Sequence, residues 1–460
     1  MDRYTFDSDF VWGTATASYQ IEGAVAEGNR GETIWDRFTH IPGNVEDGTN
    51  ADVTCDHYHL FREDVALMHT LGIKAYRFSI AWARIIPDGE GVVNQAGLQF
   101  YSDLIDELLK YGIEPYVTLY HWDLPQNLQN KGGWANRYTA DCFARYAEVV
   151  FHAFKGRVTK WITLNEPYIV ATYGNFTGVH APGLRDFSTA LQVSYNLYVA
   201  HGKAVKLFRE MGIPGEIGIA QSINPLVPAT DSPEDVAAAM RYDGYAIRWF
   251  MDPIYKGTYP QDMLDWYQSK GIVLPQITGE DLELMSQKLD FLGINYYFAD
   301  MIHADPQAWP IEAKIQNPMD EPKTAVGWRI TPDDFRDLLI RMSREYDVGK
   351  ILITENGTAI QDFVNMEGRI VDDGRIDYIK RHLRAISQAN QYLHYYRKAS
   401  DEDIPVAGYF VWSLMDNFEW ALGYIPRFGI VYMDYATNKR IPKQSAYWYK
   451  DVIEHSGFTI

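Results

Sequence analysis

KWITLNE, residues 160–166, is a short apolar segment that ends in a carboxylate. ILITENG, residues 351–357, has the same character and carries its glutamate just after the apolar run. Apolar runs of this length are typical of strands that are buried on both faces in a parallel sheet. A carboxylate at the end of such a strand is costly to leave unpaired, so Glu166 and Glu355 are candidate functional residues.

Similar apolar segments recur along the chain and alternate with helical patterns. Residues 56–71 carry apolar side chains on one helical face, and a second pattern over residues 94–111 ends at Gly112. The predicted strands span residues 10–15, 74–80, 114–120, 160–166, 217–222, 291–297, 351–355 and 406–413. This alternation predicts an α/β fold, a (β/α)8 TIM barrel of parallel strands.

The chain shows no division into separate parts. No linker-like tract or change in composition interrupts the 460 residues, and we expect one catalytic domain over residues 1–460. The segments that follow several strands are long, at residues 16–55, 167–190, 298–332 and 414–443. As long βα loops they would form a deep pocket at the C-terminal face, where such barrels carry their active sites. A deep pocket favours removal of a terminal unit over cleavage within a polymer.

Charge and composition exclude several classes of partner. The net charge of −19 argues against nucleic acid and anionic membranes, and it disfavours phosphorylated substrates.

Two cysteines, Cys55 and Cys142, give no disulfide framework. No signal-peptide pattern opens the chain, and its longest apolar run, residues 404–415, is too short to span a bilayer. We expect a cytoplasmic protein without a cofactor. Its oligomeric state stays open, a homo-oligomer included.

The spacing of two histidines and the aromatic content bear on whether the chain carries a metal site or a sugar site. His57 and His59 are two residues apart, which places their imidazoles on different sides of a helix and argues against a metal site. The chain contains 32 tyrosines and 13 tryptophans, and their rings suit a sugar site, although a large core would account for them equally. Two carboxylates on one face of a sheet could act as acid and nucleophile on an acetal, or be two unrelated ion-paired residues.

Seven motifs at predicted strand ends and loops decide between these readings. They are Tyr19-Gln20-Ile21-Glu22-Gly23, Tyr76-Arg77-Phe78-Ser79-Ile80-Ala81-Trp82, His121-Trp122-Asp123-Leu124-Pro125, Thr163-Leu164-Asn165-Glu166-Pro167, Asn295-Tyr296-Tyr297, Thr354-Glu355-Asn356-Gly357 and Asp416-Asn417-Phe418-Glu419-Trp420. With them the chain resembles the β-glucosidases of glycoside hydrolase family 1, from Phe10-Val11-Trp12-Gly13 to Tyr447-Trp448-Tyr449.

The resemblance implies a retaining mechanism through a covalent glycosyl-enzyme ester. In such enzymes two carboxyl groups lie about 5–5.5 Å apart. By resemblance Glu355 is the nucleophile and Glu166 the acid and then the base, with the charge of Glu355 raising the pKa of Glu166. Arg77 and Tyr297 would keep Glu355 ionised, and Asn165 would bind the sugar 2-hydroxyl.

The same resemblance implies a sugar pocket and a leaving-group side. Its substrate-binding residues would be Gln20, His121, Asn165, Asn295, Tyr297, Trp412, Glu419 and Trp420. Glu419 would accept hydroxyls from a neutral hexose and repel a 6-phosphate. The leaving-group side would be lined by Tyr168, Tyr173, Asn224 and Trp328. Tyr168 stands where many relatives carry Trp, and Arg329 stands where an acidic residue is common. These departures leave the preferred leaving group open.

The leading interpretation is a retaining exo-β-glucosidase of carbohydrate metabolism that acts on β-glucosides and cello-oligosaccharides, as in cellulose and polysaccharide degradation. β-Galactosides and β-fucosides are further candidate substrates. The alternatives are a 6-phospho-β-glycosidase, a sugar-binding barrel without turnover and a metal-dependent hydrolase. The family also leads us to expect a cis peptide between Trp412 and Ser413.

Overall fold

Eight parallel strands close into a barrel in the computed structural model, which describes residues 3–396 and 406–459. In chain order they are β1 Val11–Ala15, β2 Ala75–Ser79, β3 Glu114–Tyr120, β4 Lys160–Asn165, β5 Glu216–Ser222, β6 Phe291–Asn295, β7 Lys350–Asn356 and β8 Val406–Trp412. Each strand pairs with its neighbour in sequence, and β8 pairs with β1. The predicted (β/α)8 barrel is confirmed, with strand bounds within two residues of those expected.

Helices surround this barrel and bury their apolar faces against it. The long helices that follow the strands are His57–Thr70, Gln95–Lys110, Tyr138–Phe154, Phe187–Glu210, Pro233–Asp243, Pro332–Glu345, Asp373–Tyr396 and Gln444–His455. Shorter helices are Ser18–Ile21, Ile34–Thr39, Trp82–Ile85, Gln126–Asn130, Pro167–Asn175, Trp249–Tyr255, Gln261–Ser269 and Gly279–Met285. The helices predicted over residues 56–71 and 94–111 are thus each one residue shorter at both ends.

Short sheets of two or three strands lie outside the barrel. Leu226–Pro228, Asp300–Ala304 and Ala313–Ile315 form one of them, beside the C-terminal end of β6. Val431–Asp434 pairs with Lys439–Pro442 after β8, and Arg3–Thr5 pairs with Gly457–Thr459. In the described part of the chain, none of the helices combines the length and the apolar character that crossing a bilayer requires.

Two of the segments that we expected to be loops contain helices: Ser18–Ile21 and Ile34–Thr39 lie within residues 16–55, and the second segment bears on the site. Residues 167–190 include the helix Pro167–Asn175 and the start of the helix at Phe187. Pro167 suits the first helical turn because its missing N–H would have no partner there. Asp186 caps the later helix by accepting a hydrogen bond from the Thr189 N–H at 2.7 Å. The helix Pro167–Asn175 places Tyr168 and Tyr173 beside the end of β4.

Candidate active site

The C-terminal ends of the strands open into a cavity of about 680 Å³. The predicted residues that line it are His121, Glu166, Tyr168, Tyr173, Asn224, Tyr297, Trp328, Glu355, Trp412, Glu419 and Trp420. Four other predicted residues lie beneath these and are fully buried: Gln20, Arg77, Asn165 and Asn295. The structure therefore brings every predicted site residue to one end of the barrel.

Glu355 lies near the end of β7 and accepts two short hydrogen bonds. The guanidinium of Arg77 donates to Oε1 at 2.6 Å, and the hydroxyl of Tyr297 donates to Oε2 at 2.7 Å. Burial raises the pKa of Glu355, whereas Arg77 and Tyr297 lower it. Because a positive charge and a phenol both stabilise the carboxylate, Glu355 is the more acidic member of the glutamate pair.

Glu166 follows β4 and has a different environment. Its backbone adopts the left-handed conformation, with φ of 50°, a strained geometry for a residue that is not glycine. The amide of Asn295 donates to its Oε1 at 2.9 Å. Burial and the charge of Glu355 together raise the pKa of Glu166 to about 8. The rise that we expected from Glu355 is present, but burial is its larger cause.

A chain of hydrogen bonds joins the two glutamates underneath the cavity. Arg77, which contacts Glu355, also donates to Oδ1 of Asn165 at 2.6 Å. Asn295 donates to the same Asn165 oxygen at 2.9 Å and, with its own oxygen, accepts the Thr354 hydroxyl at 2.6 Å. Side chains from the ends of β2, β4, β6 and β7 are thereby fixed against one another. Thr354 is one functional partner that we did not predict.

His121 lines the cavity and has one buried ring nitrogen without a protein partner among the described residues. The Oδ1 atom of Asn165 accepts two hydrogen bonds, so its Nδ2 is the donor to Nε2 of His121 at 3.0 Å. Burial and the charge of Arg77 lower the pKa of His121 well below its usual range. The ring is therefore neutral with its proton on Nδ1, and that atom has no partner among the described residues.

Glu419 lines the inner part of the cavity, and Gln20 lies buried behind it. Nε2 of Gln20 donates to the Phe418 carbonyl at 2.8 Å, to Asn417 at 2.9 Å and to Glu419 at 3.4 Å. Its buried Oε1 has no partner in the part of the chain that the structure covers. Burial and the charge of Glu355 raise the pKa of Glu419 to about 8. A protonated carboxyl and an unused amide oxygen can both hydrogen-bond to hydroxyl groups.

Aromatic rings surround the inner cavity. Trp420 packs against Trp122 with ring centroids 4.5 Å apart and against Trp35 at 4.6 Å. Trp412 stacks on His121 at 6.1 Å, and its peptide bond to Ser413 is cis, which confirms the expectation. Trp122 also lines the cavity, and its indole N–H donates to the Asn165 carbonyl at 3.0 Å.

The outer cavity, which is the part on the predicted leaving-group side, is also lined by residues that the sequence did not identify. Tyr242, Tyr245, Phe298, Asp300 and Trp309 all line it. They lie on or near the helix Pro233–Asp243 and in the segment after β6, where no motif marked them. Arg329, in contrast, contacts Glu321 at 2.5 Å and the Ala299 carbonyl at 3.1 Å rather than the cavity.

The histidines discounted as metal ligands have other partners. His57 contacts Asp64 at 2.8 Å, and His59 contacts Asp56 at 2.6 Å. Over residues 3–396 and 406–459 no group of three His, Cys, Asp or Glu side chains is placed to hold a metal ion.

Comparisons with known proteins agree with this geometry. A family model described as "Glycosyl hydrolase family 1" matches residues 2–458. The chain is 48% identical over 459 residues to "Beta-glucosidase A" of Acetivibrio thermocellus, with 100% of both chains covered. It is 46% identical over 457 residues to the "1,4-beta-D-glucan glucohydrolase" of Thermotoga neapolitana, with 99% of both covered. The structure titled "Beta-glucosidase from Thermotoga maritima in complex with deoxynojirimycin" shares 46% identity and superposes with a TM-score of 0.94, covering 99% of this chain and 100% of that one.

Proposed function

Because the chain belongs to glycosyl hydrolase family 1, we infer that it is a retaining exo-acting β-glucosidase that releases terminal β-D-glucosyl residues. The observation that carries this conclusion is the pair Glu166 and Glu355. Both line one cavity, and their neighbours differ: Arg77 and Tyr297 stabilise the ionised form of Glu355, whereas burial and the charge of Glu355 raise the pKa of Glu166 to about 8. A protonated acid beside an ionised nucleophile is what the first step of double displacement requires.

The first step forms a glycosyl ester. A carboxylate oxygen of Glu355 attacks the anomeric carbon, and the bond from that carbon to the leaving-group oxygen breaks. Glu166 transfers its proton to the leaving oxygen as the bond breaks. Arg77 and Tyr297 hold Glu355 in place for the attack through their two hydrogen bonds.

The second step hydrolyses the ester. Esterification removes the charge of Glu355, which is one of the two main causes of the raised pKa of Glu166. The pKa of Glu166 therefore falls, and its carboxylate can take a proton from a water molecule that attacks the anomeric carbon. The bond to Glu355 breaks, and its electron pair returns to the carboxylate. Two inversions at one carbon give a product with the original β configuration.

The inner cavity supplies contacts for the sugar hydroxyls. We assign the 2-hydroxyl to Asn165 and the remaining ring hydroxyls to Gln20, His121, Glu419 and Trp420, above a floor formed by Trp412. The free Nδ1–H of His121 and the free Oε1 of Gln20 support this assignment, because buried polar atoms without partners are costly unless a ligand completes them. Gln20 and Glu419 can also serve a hydroxyl of the opposite O4 configuration, so we propose β-galactosides and β-fucosides as secondary substrates.

A 6-phospho-β-glycosidase is disfavoured by Glu419. Glu419 presents a buried carboxyl and no positive charge, so a 6-phosphate placed beside it would lose its hydration without gaining a counter-ion, and the segment that follows Glu419 carries no lysine to supply one. The test measures hydrolysis of 4-nitrophenyl β-glucoside and of its 6-phosphate in competition, with and without a strong chelator. We expect the neutral glucoside to be consumed in both conditions; preferential consumption of the phosphate, or loss of activity in chelator, would overturn the proposal.

We also propose β-glucosides and cello-oligosaccharides as substrates and a cytoplasmic location. Cys55 and Cys142 are both free thiols, which a reducing compartment tolerates. Cell fractionation followed by an activity assay tests the location.

A further inference from the structure

Four tyrosines form one side of the outer cavity, and we call them the tyrosine wall: Tyr168, Tyr173, Tyr242 and Tyr245. Tyr168 lies 5.7 Å from Tyr245 and 6.5 Å from Tyr173, and Tyr242 lies 5.6 Å from Tyr245, measured between ring centroids. Tyr173 lines the same cavity as Asp300 and Glu166, and burial together with their charges raises its pKa.

A second aromatic cluster lines the same cavity, and we call it the tryptophan wall: Trp328, Phe298 and Phe428. The ring of Trp328 lies 5.1 Å from Phe298 and 5.8 Å from Phe428. It also lies 5.1 Å from Tyr297, whose hydroxyl donates to Glu355. The tryptophan wall is therefore continuous with the residues around the anomeric carbon.

Two polar side chains that line this cavity, Asn224 and Thr172, are already engaged with the protein. Asn224 accepts the backbone N–H of Tyr297 at 3.2 Å, and its amide approaches the Ser222 hydroxyl at 3.5 Å. Thr172 accepts the hydroxyl of Tyr245 at 3.3 Å. A glucosyl leaving group would bring several hydroxyls that need partners here.

Asp300 differs because half of its carboxylate is unused. Asn317 donates to its Oδ1 at 2.7 Å, and the orientation of Asn317 is fixed because its own oxygen accepts the Met301 N–H at 2.8 Å. Among the described residues, no hydrogen bond reaches Oδ2 of Asp300, and the side chain lines the cavity. The outer cavity thus offers aromatic faces together with a carboxylate oxygen that no described residue engages.

We propose that the outer cavity binds an aromatic leaving group that carries a hydroxyl on its far edge, and that Asp300 selects this hydroxyl. The ring stacks between the tyrosine wall and the tryptophan wall, and its hydroxyl donates to Oδ2 of Asp300. Aromatic groups prefer offset or edge-on contacts with other rings and need few polar partners. This inference rests on the proposed function, since it names the class of leaving group for the same reaction.

The test compares hydroxyphenyl and methoxyphenyl β-glucosides, each as the 3- and the 4-isomer. Members of a pair have leaving groups of similar acidity but differ in whether the ring substituent can donate a hydrogen bond. We expect the wild type to favour the hydroxyl compound by about tenfold in kcat/KM for at least one isomer, the effect of one hydrogen bond to a charged group. Ratios within about twofold for both isomers would overturn the proposal.

Asp300→Asn sharpens the test because it replaces the free acceptor, Oδ2, with an amide N–H donor. Asn317 would hold the new amide oxygen in the Oδ1 position, which turns Nδ2 toward the ligand. A hydroxyl and a methoxy oxygen both accept from that N–H, so the preference should fall to about one. Asp320→Asn is the matched control. Asp320 lies in the same segment after β6 and its side chain is exposed, so this variant should keep the wild-type ratio. An unchanged ratio in Asp300→Asn would contradict the role of Asp300.

A binding measurement separates this inference from the proposed function. The corresponding 1-thio-β-glucosides resist hydrolysis, so calorimetric titration reads the hydroxyl preference without turnover. The phenyl thioglucoside should bind more tightly than thiocellobiose, and the reverse order would exclude an aromatic leaving group. Failure of the wild type to hydrolyse unsubstituted phenyl β-glucoside would instead refute the proposed function.

Discussion

Arg77 and Tyr297 both donate to Glu355, whereas the charge of Glu355 itself acts on Glu166. Two identical side chains therefore hold different protonation states because their neighbours differ. The glutamates were identifiable from sequence because each follows an apolar strand. The contribution of burial to the pKa of Glu166 was not, since it depends on the surrounding walls of the cavity.

Glu355→Gly tests whether Glu355 is the nucleophile. Removal of the carboxylate should abolish turnover, because no oxygen remains to attack the anomeric carbon. Azide is small enough to occupy the vacated space, and it should restore cleavage of an activated aryl glucoside with an α-glucosyl azide as product. NMR of the glucosyl azide identifies its anomeric configuration. Wild-type rates in Glu355→Gly without azide would refute the assignment of Glu355 as the nucleophile.

Glu166→Ala tests the acid and its pKa. We expect a loss of about 10²–10⁴-fold for poor leaving groups, the usual range for acid–base help, and little loss in the first step for activated ones. In the wild type, kcat/KM should fall as the pH rises through about 8, because Glu166 loses the proton that it must donate. This alkaline decline should be absent from Glu166→Ala; its persistence there would show that another group controls it.

The barrel strands were predictable, and the helix Pro167–Asn175 was not. Each strand is an apolar run bounded by polar or glycine residues, so its length and burial follow from the local sequence. The run after Glu166 carries no regular apolar period, and it becomes helical because Pro167 begins a turn that packs beside the cavity. Half of the tyrosine wall was missed for a related reason: Tyr168 and Tyr173 were predicted, whereas Tyr242 and Tyr245 lie at and just beyond the end of the helix Pro233–Asp243, distant in sequence from Tyr168.

The junction of β7 and β8 depends on Gly357. A Cβ atom at this position would lie 1.8 Å from the carbonyl oxygen of Trp412. Gly357→Ala should therefore separate the two strand ends and move the Trp412 floor. We expect a destabilisation of about 1–3 kcal/mol together with a raised KM. The control is Gly279→Ala, where no atom lies within 4 Å of the place that the new methyl group would occupy. Equal effects of the two substitutions on denaturant titrations and KM would contradict this account.

At the scale of the whole molecule, a buried ionic cluster joins the loops after β7 and β8. Lys443 is fully buried and donates to Asp416 at 2.7 Å and to Asp362 at 2.5 Å. Arg375 donates to Asp362 at 2.8 Å, and Arg427 to Asp416 at 2.7 Å. Asp416 immediately precedes the segment that carries Glu419 and Trp420, so the cluster supports the sugar side of the cavity. Its partners come from distant parts of the chain, and no local pattern could have predicted the pairing.

Lys443→Met should leave two aspartates partly uncompensated in the interior. Removal of one partner from a buried ion pair typically costs about 3–5 kcal/mol. We expect a reduction of that order in the free energy of unfolding, measured by denaturant titration at neutral pH. The matched control is Lys439→Met, which changes an exposed lysine nearby and should have little effect. A Lys443→Met protein as stable as the control would refute the structural role of the cluster.

The central claim is that Glu166 and Glu355 act on the two sides of one glycosidic bond by double displacement. Proton NMR of a fresh reaction with an aryl β-glucoside identifies the anomer that is released before mutarotation mixes the two forms. The account predicts β-glucose as the first product. If α-glucose accumulates first, a water molecule rather than Glu355 has attacked the anomeric carbon, and the account is wrong.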